Sequence, residues 1–365
     1  MGEDKMTAAE QIKEILEWAK WAPSGDNTQP WRFEIVSDGQ VNVHGFDTRA
    51  HCVYDLGGQA SHLALGALLE NMRLAATRFG FSTQIVERAG CPEDAPVFEV
   101  TFMADFLQED PLTEMIKIRS VQRRPYRLDP LTPEQKNILE ASVGPNYRVL
   151  WFESLSQRWA FASLTARAGK LRLTIPEAYA VHRDIIQWGA QFSEDRVPDQ
   201  AIGLDALTLK LTRWAMASWE RVDFFNRYLA GTWIPRIRLD FIPGLACAAH
   251  FALVAEAVPQ TLGDDVEAGK ALQRFWLTAT QLKLQLQPEM TPLIFRRYAT
   301  QGVSLSIREN AQPQAECIAF ALDKWMGGKE QADRVVFMGR IGYSVPAHAR
   351  STRLSLLRLH WSGKS

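Results

Sequence analysis

Trp21-Ala22-Pro23-Ser24-Gly25-Asp26-Asn27-Thr28-Gln29-Pro30-Trp31 is the stretch of this chain whose reading decides the fold. Pro23 disfavours helix in the residue before it, so a helix leading into the stretch ends there. After Pro30 the residues Trp31 to Val36 read as a strand. Between the two prolines lies a loop of small polar residues. Ser24, Asn27 and Gln29 offer donors and acceptors that a rigid loop can aim at a polar heterocycle. The same composition also serves a plain helix-to-strand connection, so the residues alone leave both readings open.

On the N-terminal side, Thr7-Ala8-Ala9-Glu10 is a capping-box sequence. It starts a helix with Ile12, Ile15, Leu16 and Ala19 on one face. On the C-terminal side, strands over 31–36 and 41–45 are joined by the hairpin turn Ser37-Asp38-Gly39. A long helix runs from about Gly58 to Phe79, with Ala64, Leu68, Ala75 and Phe79 near one face and Gly80 as its C-cap. Strands at 82–87 and 97–103 complete an α+β unit.

The pattern then restarts. A short helix near Pro111 to Ile118 leads into Arg119-Ser120-Val121-Gln122-Arg123-Arg124. A helix begins after Thr132-Pro133, with proline at its first position. A strand follows at 147–152. Residues 155–240 read as mainly helical and are rich in Trp, Phe, Leu and Arg. The apolar run 246–257 reads as a buried strand. Asp264 to Leu286 reads as a long helix with Phe275, Ala279, Leu282 and Leu286 on one face. Arg334 to Phe337 reads as a last core strand, followed by a basic tail.

Composition narrows the function classes. Net charge is −1 with 23% charged residues, which points away from nucleic acid as a partner. The opening MGEDKMTAAEQ is polar and lacks the apolar region of a signal peptide. No window reaches the roughly 18 apolar residues of a membrane span, so a cytoplasmic protein without a membrane partner is expected. The amphipathic run Leu204 to Tyr228 suits a membrane surface, but its mixed charges favour packing inside the molecule. Cys52, Cys91, Cys247 and Cys317 are far apart and contain no CxxC, so mostly buried free thiols are expected. The seven histidines show no metal-ligand spacing, and neither a nucleophile elbow nor a phosphate-binding glycine loop occurs. His62 and His250 lie amid apolar residues and read as satisfied core histidines. Of the twelve tryptophans, five fall between Trp159 and Trp233, read either as core or as a lid over a flat aromatic cofactor.

Arg119 and Ser120 with Arg123 and Arg124 place guanidinium groups beside a hydroxyl, a set that suits a dianionic phosphate; on its own it is equally a solvated basic helix end. Leu284-Gln285-Leu286-Gln287-Pro288-Glu289-Met290-Thr291-Pro292-Leu293 reads as a stiffened turn at the end of the long helix. Arg340-Ile341-Gly342-Tyr343 and Arg350-Ser351-Thr352-Arg353 form a basic tail.

Together these residues resemble the nitroreductase family of FMN enzymes. The stretch 21–31 is similar to its Ala-Pro-Ser-x-x-Asn-x-Gln-Pro-Trp loop, which wraps the flavin. The resemblance implies flavin contacts from Pro23, Ser24, Gly25, Asn27 and Gln29. It implies phosphate contacts from Arg119, Ser120, Arg123 and Arg124, and from Arg340, Arg350 and Arg353 in the tail. It implies that Gln287, Pro288, Met290 and Thr291 lie against the ring, with the backbone of Met290 and Thr291 facing flavin N5 and no catalytic side chain. Arg124 or Arg127 is the implied cation near N1. In single-repeat members the Arg-Ser element precedes the loop; here it lies about 90 residues downstream, and the first helix has no arginine.

A fused pseudo-dimer that keeps one of two flavin sites fits this arrangement. Its halves are 1–108 and 109–365, the second with a helical lid at about 155–240. The fold class implied is α+β and nitroreductase-like, two fused half-repeats in one chain. The function implied is hydride transfer from NAD(P)H through FMN to a nitroaromatic, quinone or similar small molecule. A monomeric pseudo-dimer or weak homodimer is expected. The alternatives are an FMN storage or sequestration protein closed by its lid, and a specialised biosynthetic flavin oxidase or dehydrogenase. Trp214, Trp219, Phe224, Phe225 and Trp233 are the expected lid residues over the flavin face.

Overall fold

The computed structural model describes residues 6–228 and 231–363; the opening Met1–Lys5 lies outside the described residues. The first helix, α1 (Ala8–Ala19), begins as its sequence requires. The Thr7 hydroxyl accepts from the Glu10 N–H, and the Glu10 carboxylate accepts from the Thr7 N–H. The hairpin of β1 (Trp31–Ser37) and β2 (Gln40–Gly45) follows the loop. Helix α2 (Gln59–Thr77) and strands β3 (Phe81–Glu87) and β4 (Val97–Ala104) complete an antiparallel sheet of order β1-β2-β4-β3.

A short α3 (Met115–Ile118) leads to α4 (Pro133–Ser142) and β5 (Tyr147–Phe152). A long insert follows. It contains α5 (Leu155–Thr174) and α6 (Pro176–Ile185), then the two-residue strands β6 (Ile186–Gln187), β7 (Phe192–Ser193) and β8 (Val197–Pro198). Helices α7 (Ala206–Ala215), α8 (Trp219–Tyr228) and α9 (Trp233–Pro235), a π-helical turn (Arg236–Phe241) and α10 (Ile242–Leu245) end it. The chain then runs through β9 (Ala249–Ala255), α11 (Leu262–Gln281), β10 (Gln285–Pro288), α12 (Thr291–Gln301), α13 (Ala311–Met326), α14 (Lys329–Asp333), β11 (Val335–Gly342) and β12 (Arg350–Ser351).

The second large sheet has the order β10-β11-β9-β5 and is also antiparallel. Numbered by appearance within each half, both sheets run first-second-fourth-third. A helix precedes the first strand in each (α1, α4), and a long helix joins the second to the third (α2, α11). The insert of residues 153–248 stands where the first sheet has the tight Asp38-Gly39 hairpin, and α12–α14 stand where it has the short β3–β4 connection.

The long helices α2 and α11 pack against each other at the centre. Gly66 and Gly269 each lie seven residues after the start of their helix (66 − 59 and 269 − 262). A Cβ on Gly66 would overlap the Val266 carbonyl, and a Cβ on Gly269 would overlap the Leu63 carbonyl. The relation is reciprocal, and so are the polar pairs beside it. Gln273 Nε2 donates to Asn71 Oδ1 at 2.7 Å, and Arg274 reaches Glu70 Oε2 at 3.3 Å. Helix α2 is buried nearly all round, which explains its nearly uniform apolar sequence. The second sheet is covered on both faces, and every residue of β9 and β11 is buried.

The structure is α+β, as expected. Three sequence readings are corrected. The long helix ends at Gln281 instead of Leu286, because Lys283 takes a left-handed φ of 60° and the chain turns into β10. The turn expected at that helix end is therefore a strand-to-helix junction. Helices α12–α14 went unread. Only Cys247 of the four free cysteines is buried, and Cys317 is exposed.

Candidate active site

The loop between α1 and β1 holds three non-glycine residues at positive φ: Asp26 (52°), Asn27 (62°) and Gln29 (50°). Such conformations cost energy for any side chain and persist only where the surroundings impose them. Here they do. Asn27 Nδ2 donates to the Glu194 carbonyl at 3.0 Å and the Thr352 carbonyl at 3.3 Å. Gln29, fully buried, donates to the Glu194 carbonyl at 2.8 Å and accepts from the Leu354 N–H at 2.9 Å. The loop is clamped between the insert and the C-terminal tail.

One face of this loop opens onto a cavity of about 330 Å³. Pro23, Ser24, Gly25, Asp26 and Asn27 line it from the loop, and Arg119, Ser120 and Arg123 from the segment after α3. Gln287, Pro288, Met290 and Thr291 line it from the β10–α12 junction, and Arg350 and Arg353 from the tail. Segments far apart in sequence, carried by both sheets, thus meet at one place. The start of α2 and the α11 residues Leu272 and Trp276 contribute apolar wall.

Three expected contacts lie elsewhere. Gln29 holds the loop from behind, as above. Arg340 is buried within β11, where it donates to the carbonyls of Arg123 (2.7 Å), Arg124 (3.2 Å) and Pro243 (3.2 Å). It shapes the arginine segment and does not line the cavity. Arg124 turns outward to His348 at 3.1 Å. Arg127 is exposed and paired with Asp129, so neither candidate for a cation near N1 lines the cavity. The aromatic lid is also corrected. None of Trp214, Trp219, Phe224, Phe225 and Trp233 lines the cavity; Trp214, Phe224 and Trp233 are at least half exposed. The insert reaches it instead through Arg172, His182, Val197 and Ala201. Arg172 and His182 follow no short motif, and no sequence signal singled them out.

The electrostatics are those of an anion site. Among the described residues, Arg119, Arg123, Arg350 and Arg353 have no carboxylate within 4.0 Å. Burial, then the charges of Arg353 and Arg350, pushes Arg119 well below its ordinary value. Burial with Arg350 pushes Arg353 down to about 9. Arg353 is nonetheless held by main-chain carbonyls: Nη2 donates to Ala22 at 2.8 Å and Nη1 to Thr352 at 2.8 Å. Arg119 donates to the Trp21 carbonyl at 3.0 Å and lies over the Trp276 ring at 4.5 Å. Buried side-chain atoms without a hydrogen-bond partner include Asn27 Oδ1, Arg119 Nε, Gln287 Oε1 and Arg350 Nε, all on cavity-lining residues. Buried polar atoms are normally paired, so this set is built for a polar ligand.

A buried histidine network supports the β10–α12 junction. His250 Nδ1 lies 2.7 Å from Glu289 Oε2, and its Nε2 lies 2.8 Å from the Gly244 carbonyl. Both partners are acceptors, so both ring nitrogens donate. Burial opposes the charge, but the Glu289 carboxylate outweighs it and His250 is pushed up to about 10.

Residues 2–87 match the family model described as "Putative TM nitroreductase". The protein "Putative NAD(P)H nitroreductase acg" of Mycobacterium tuberculosis, from strains CDC 1551 and H37Rv, is 32% identical over 143 residues. That match covers 38% of this chain and 42% of the relative, so the chain spans about two fifths of the length of the curated relatives it matches. A nitroreductase-like family protein of known structure from Bacillus cereus aligns over 69% of this chain and 95% of its own, at a TM-score of 0.35 and 12% identity. The family match over residues 2–87 includes the strained loop that walls the cavity.

Proposed function

We propose that the chain is an FMN-dependent oxidoreductase that passes hydride from NAD(P)H to a nitroaromatic, quinone or similar small molecule. We further propose that its residues 1–108 and 109–365 are two nitroreductase-like halves fused into an intramolecular pseudo-dimer with one flavin site. The observation that carries the reading is the cavity itself. It unites a strained polar loop, cavity-lining arginines without carboxylate partners, and four orphaned polar atoms. The shared strand order of the two sheets and the reciprocal contacts of Gly66 and Gly269 support the two-half reading.

The residues present fit FMN. Arg119 and Arg350, with Ser120 beside them, would hold the phosphate, each guanidinium still carrying an unused Nε donor. Asn27 and Gln287 would meet polar atoms of the ring system with their free Oδ1 and Oε1. Leu272 and Trp276 give the apolar wall that ligand cavities of this size require. When bound, the flavin would supply the hydride chemistry, and the protein's part would be binding, orientation and electrostatics. The arginines that line the cavity would favour negative charge developing on a ligand held there.

A second reading is FMN storage. The insert walls the cavity with Arg172, His182, Val197 and Ala201 and, on this reading, would limit the access of a second large ligand. An anaerobic absorbance scan of the purified protein separates the two. Bleaching of the flavin band by NADPH or NADH is expected of the oxidoreductase. A band that resists both but bleaches with dithionite is expected of storage. A colourless protein that cannot be reconstituted with FMN overturns both.

A further inference from the structure

We propose that Asp26 is the proton donor to the acceptor reduced in this cavity, and that Tyr54, His182 and Arg172 form the polar wall that binds the acceptor's oxygen, the acceptor being of the quinone class. The proposal rests on the reading of the cavity as a flavin site.

Asp26 lines the cavity and sits at φ 52° in the clamped loop. Among the described residues its carboxyl has no hydrogen-bond partner and no cation within 4.0 Å, although the residue is half-buried. A structural aspartate at a left-handed position ordinarily caps a neighbouring N–H; this one is free to face the cavity. The groups around it come from four elements. Arg123 belongs to the segment after α3, Arg172 to α5 and His182 to α6. Cys52, Tyr54 and Asp55 lie between β2 and α2. Burial pushes the carboxyl up to about 6, with Arg123 and Arg172 pulling the other way. An acid with a pKa near the working pH is the efficient kind of donor.

The polar set combines a neutral pair, Tyr54 and His182, with the cation Arg172, and all three line the cavity. Tyr54 Oη lies 3.1 Å from His182 Nε2, and the two rings stack at 5.7 Å. Burial, then Arg172, pushes His182 down to about 3, so the ring is neutral. With the proton on Nε2, His182 donates to Tyr54, whose own O–H is free to donate to an acceptor oxygen. Arg172 is fixed by Asp240 at 3.4 Å and keeps an unpartnered Nε. Donors of this kind stabilise negative charge that develops on oxygen.

The step balances without a further reagent. The acceptor gains a hydride, that is, two electrons and one proton, from the reduced flavin of the proposed reading. The O–H bond of the Asp26 carboxyl breaks, a new O–H bond forms on the acceptor oxygen, and a quinone becomes a hydroquinone. The Asp26 carboxylate regains its proton from water.

The test uses Asp26→Asn, which keeps a residue that tolerates left-handed φ, and Tyr54→Phe. The holoprotein is reduced with stoichiometric dithionite and mixed with menadione in a stopped-flow instrument, and FMN affinity is titrated separately by fluorescence. In the wild type, reoxidation should slow about tenfold per pH unit above pH 6. Asp26→Asn should be slower by roughly 10²-fold or more and flat with pH, with FMN affinity held within about threefold. Tyr54→Phe should raise the menadione concentration giving half-maximal rate. Infrared difference spectra of wild-type minus Asp26→Asn protein should show a protonated carboxyl band that disappears with a midpoint near pH 6. Wild-type rates in Asp26→Asn, or the absence of the carboxyl band, overturn the proposal. Failure of the wild type to bind FMN overturns the underlying reading instead, and the infrared band still reports whether Asp26 holds a proton.

Discussion

At the scale of single residues, the cavity is a place where ordinary rules of satisfaction are suspended. Arg119 is buried, lies against other arginines and keeps one donor unused. A bound phosphate would complete it with a charge-assisted hydrogen bond of about 1.5–3 kcal/mol. Arg119→Ala should therefore weaken FMN binding by roughly 10- to 100-fold, read by fluorescence titration; unchanged affinity would place the phosphate elsewhere. Asp26 carries the opposite cost. Its raised pKa means that its stability contribution is present below the ordinary aspartate value of 3.8 and lost as pH rises through about 6. Asp26→Asn should thus leave apo-protein stability unchanged at pH 4 and raise it at pH 8, measured by urea unfolding.

His250 shows the same linkage for a base. With its value raised from 6.5 to about 10, its contribution is full below pH 6.5 and is lost as pH rises through 10. Wild-type stability should fall across that window, and His250→Gln should flatten the fall while costing about 3 kcal/mol at pH 6.5, as expected when one partner of a buried pair is removed.

At the scale of elements, the α2–α11 contact depends on two glycines. Ala substitution of Gly66 or Gly269 places a methyl group against a backbone carbonyl of the partner helix, which cannot rotate away. Each should cost on the order of 3 kcal/mol, and a thermal melt checks it. Because Gly66 and Gly269 touch one another's helix, the double variant should cost less than the sum of the singles, since one helix shift relieves both overlaps. The β10–α12 junction shows how local sequence misleads. Leu282 and Leu286 continue the apolar spacing of α11, so the periodicity extends past Gln281. The backbone instead turns at Lys283, and Gln285–Pro288 pair with Gly339–Gly342 of β11. Strand pairing with partners 51 to 57 residues away overrode a spacing rule that sees only neighbours.

At the scale of the whole molecule, the cavity draws on both sheets, the insert and the tail. One FMN per chain is therefore expected, bound by a species that need not associate with a second copy. Sedimentation of the holoprotein at dilutions that dissociate weak dimers should retain the flavin; loss of flavin with dissociation would contradict the fused pseudo-dimer. Residues 1–108 alone should not fold cooperatively. Helix α2 would then expose the face it buries against α11, including Glu70 and Asn71, which lose their partners Arg274 and Gln273. Circular dichroism of that fragment decides the point.

Local order was legible in the sequence because its causes are local. The capping box at Thr7, the proline that opens the helix after Thr132, the hairpin at Asp38-Gly39 and the strands of the first sheet depend on residues within a few positions of one another. The loop 21–31 and the arginines at 119–123 were recognisable as the makings of a site, since their residue types carry the chemistry. Tertiary structure alone decided the rest. It turned Gln29 and Arg340 into supports, sent Arg124 outward, kept the aromatic residues of the insert away from the cavity, and brought Asp26, Tyr54, Arg172 and His182 to one cavity. Those outcomes depend on which surfaces of distant segments bury together, and burial is a property of the assembled packing, not of spacing along the chain.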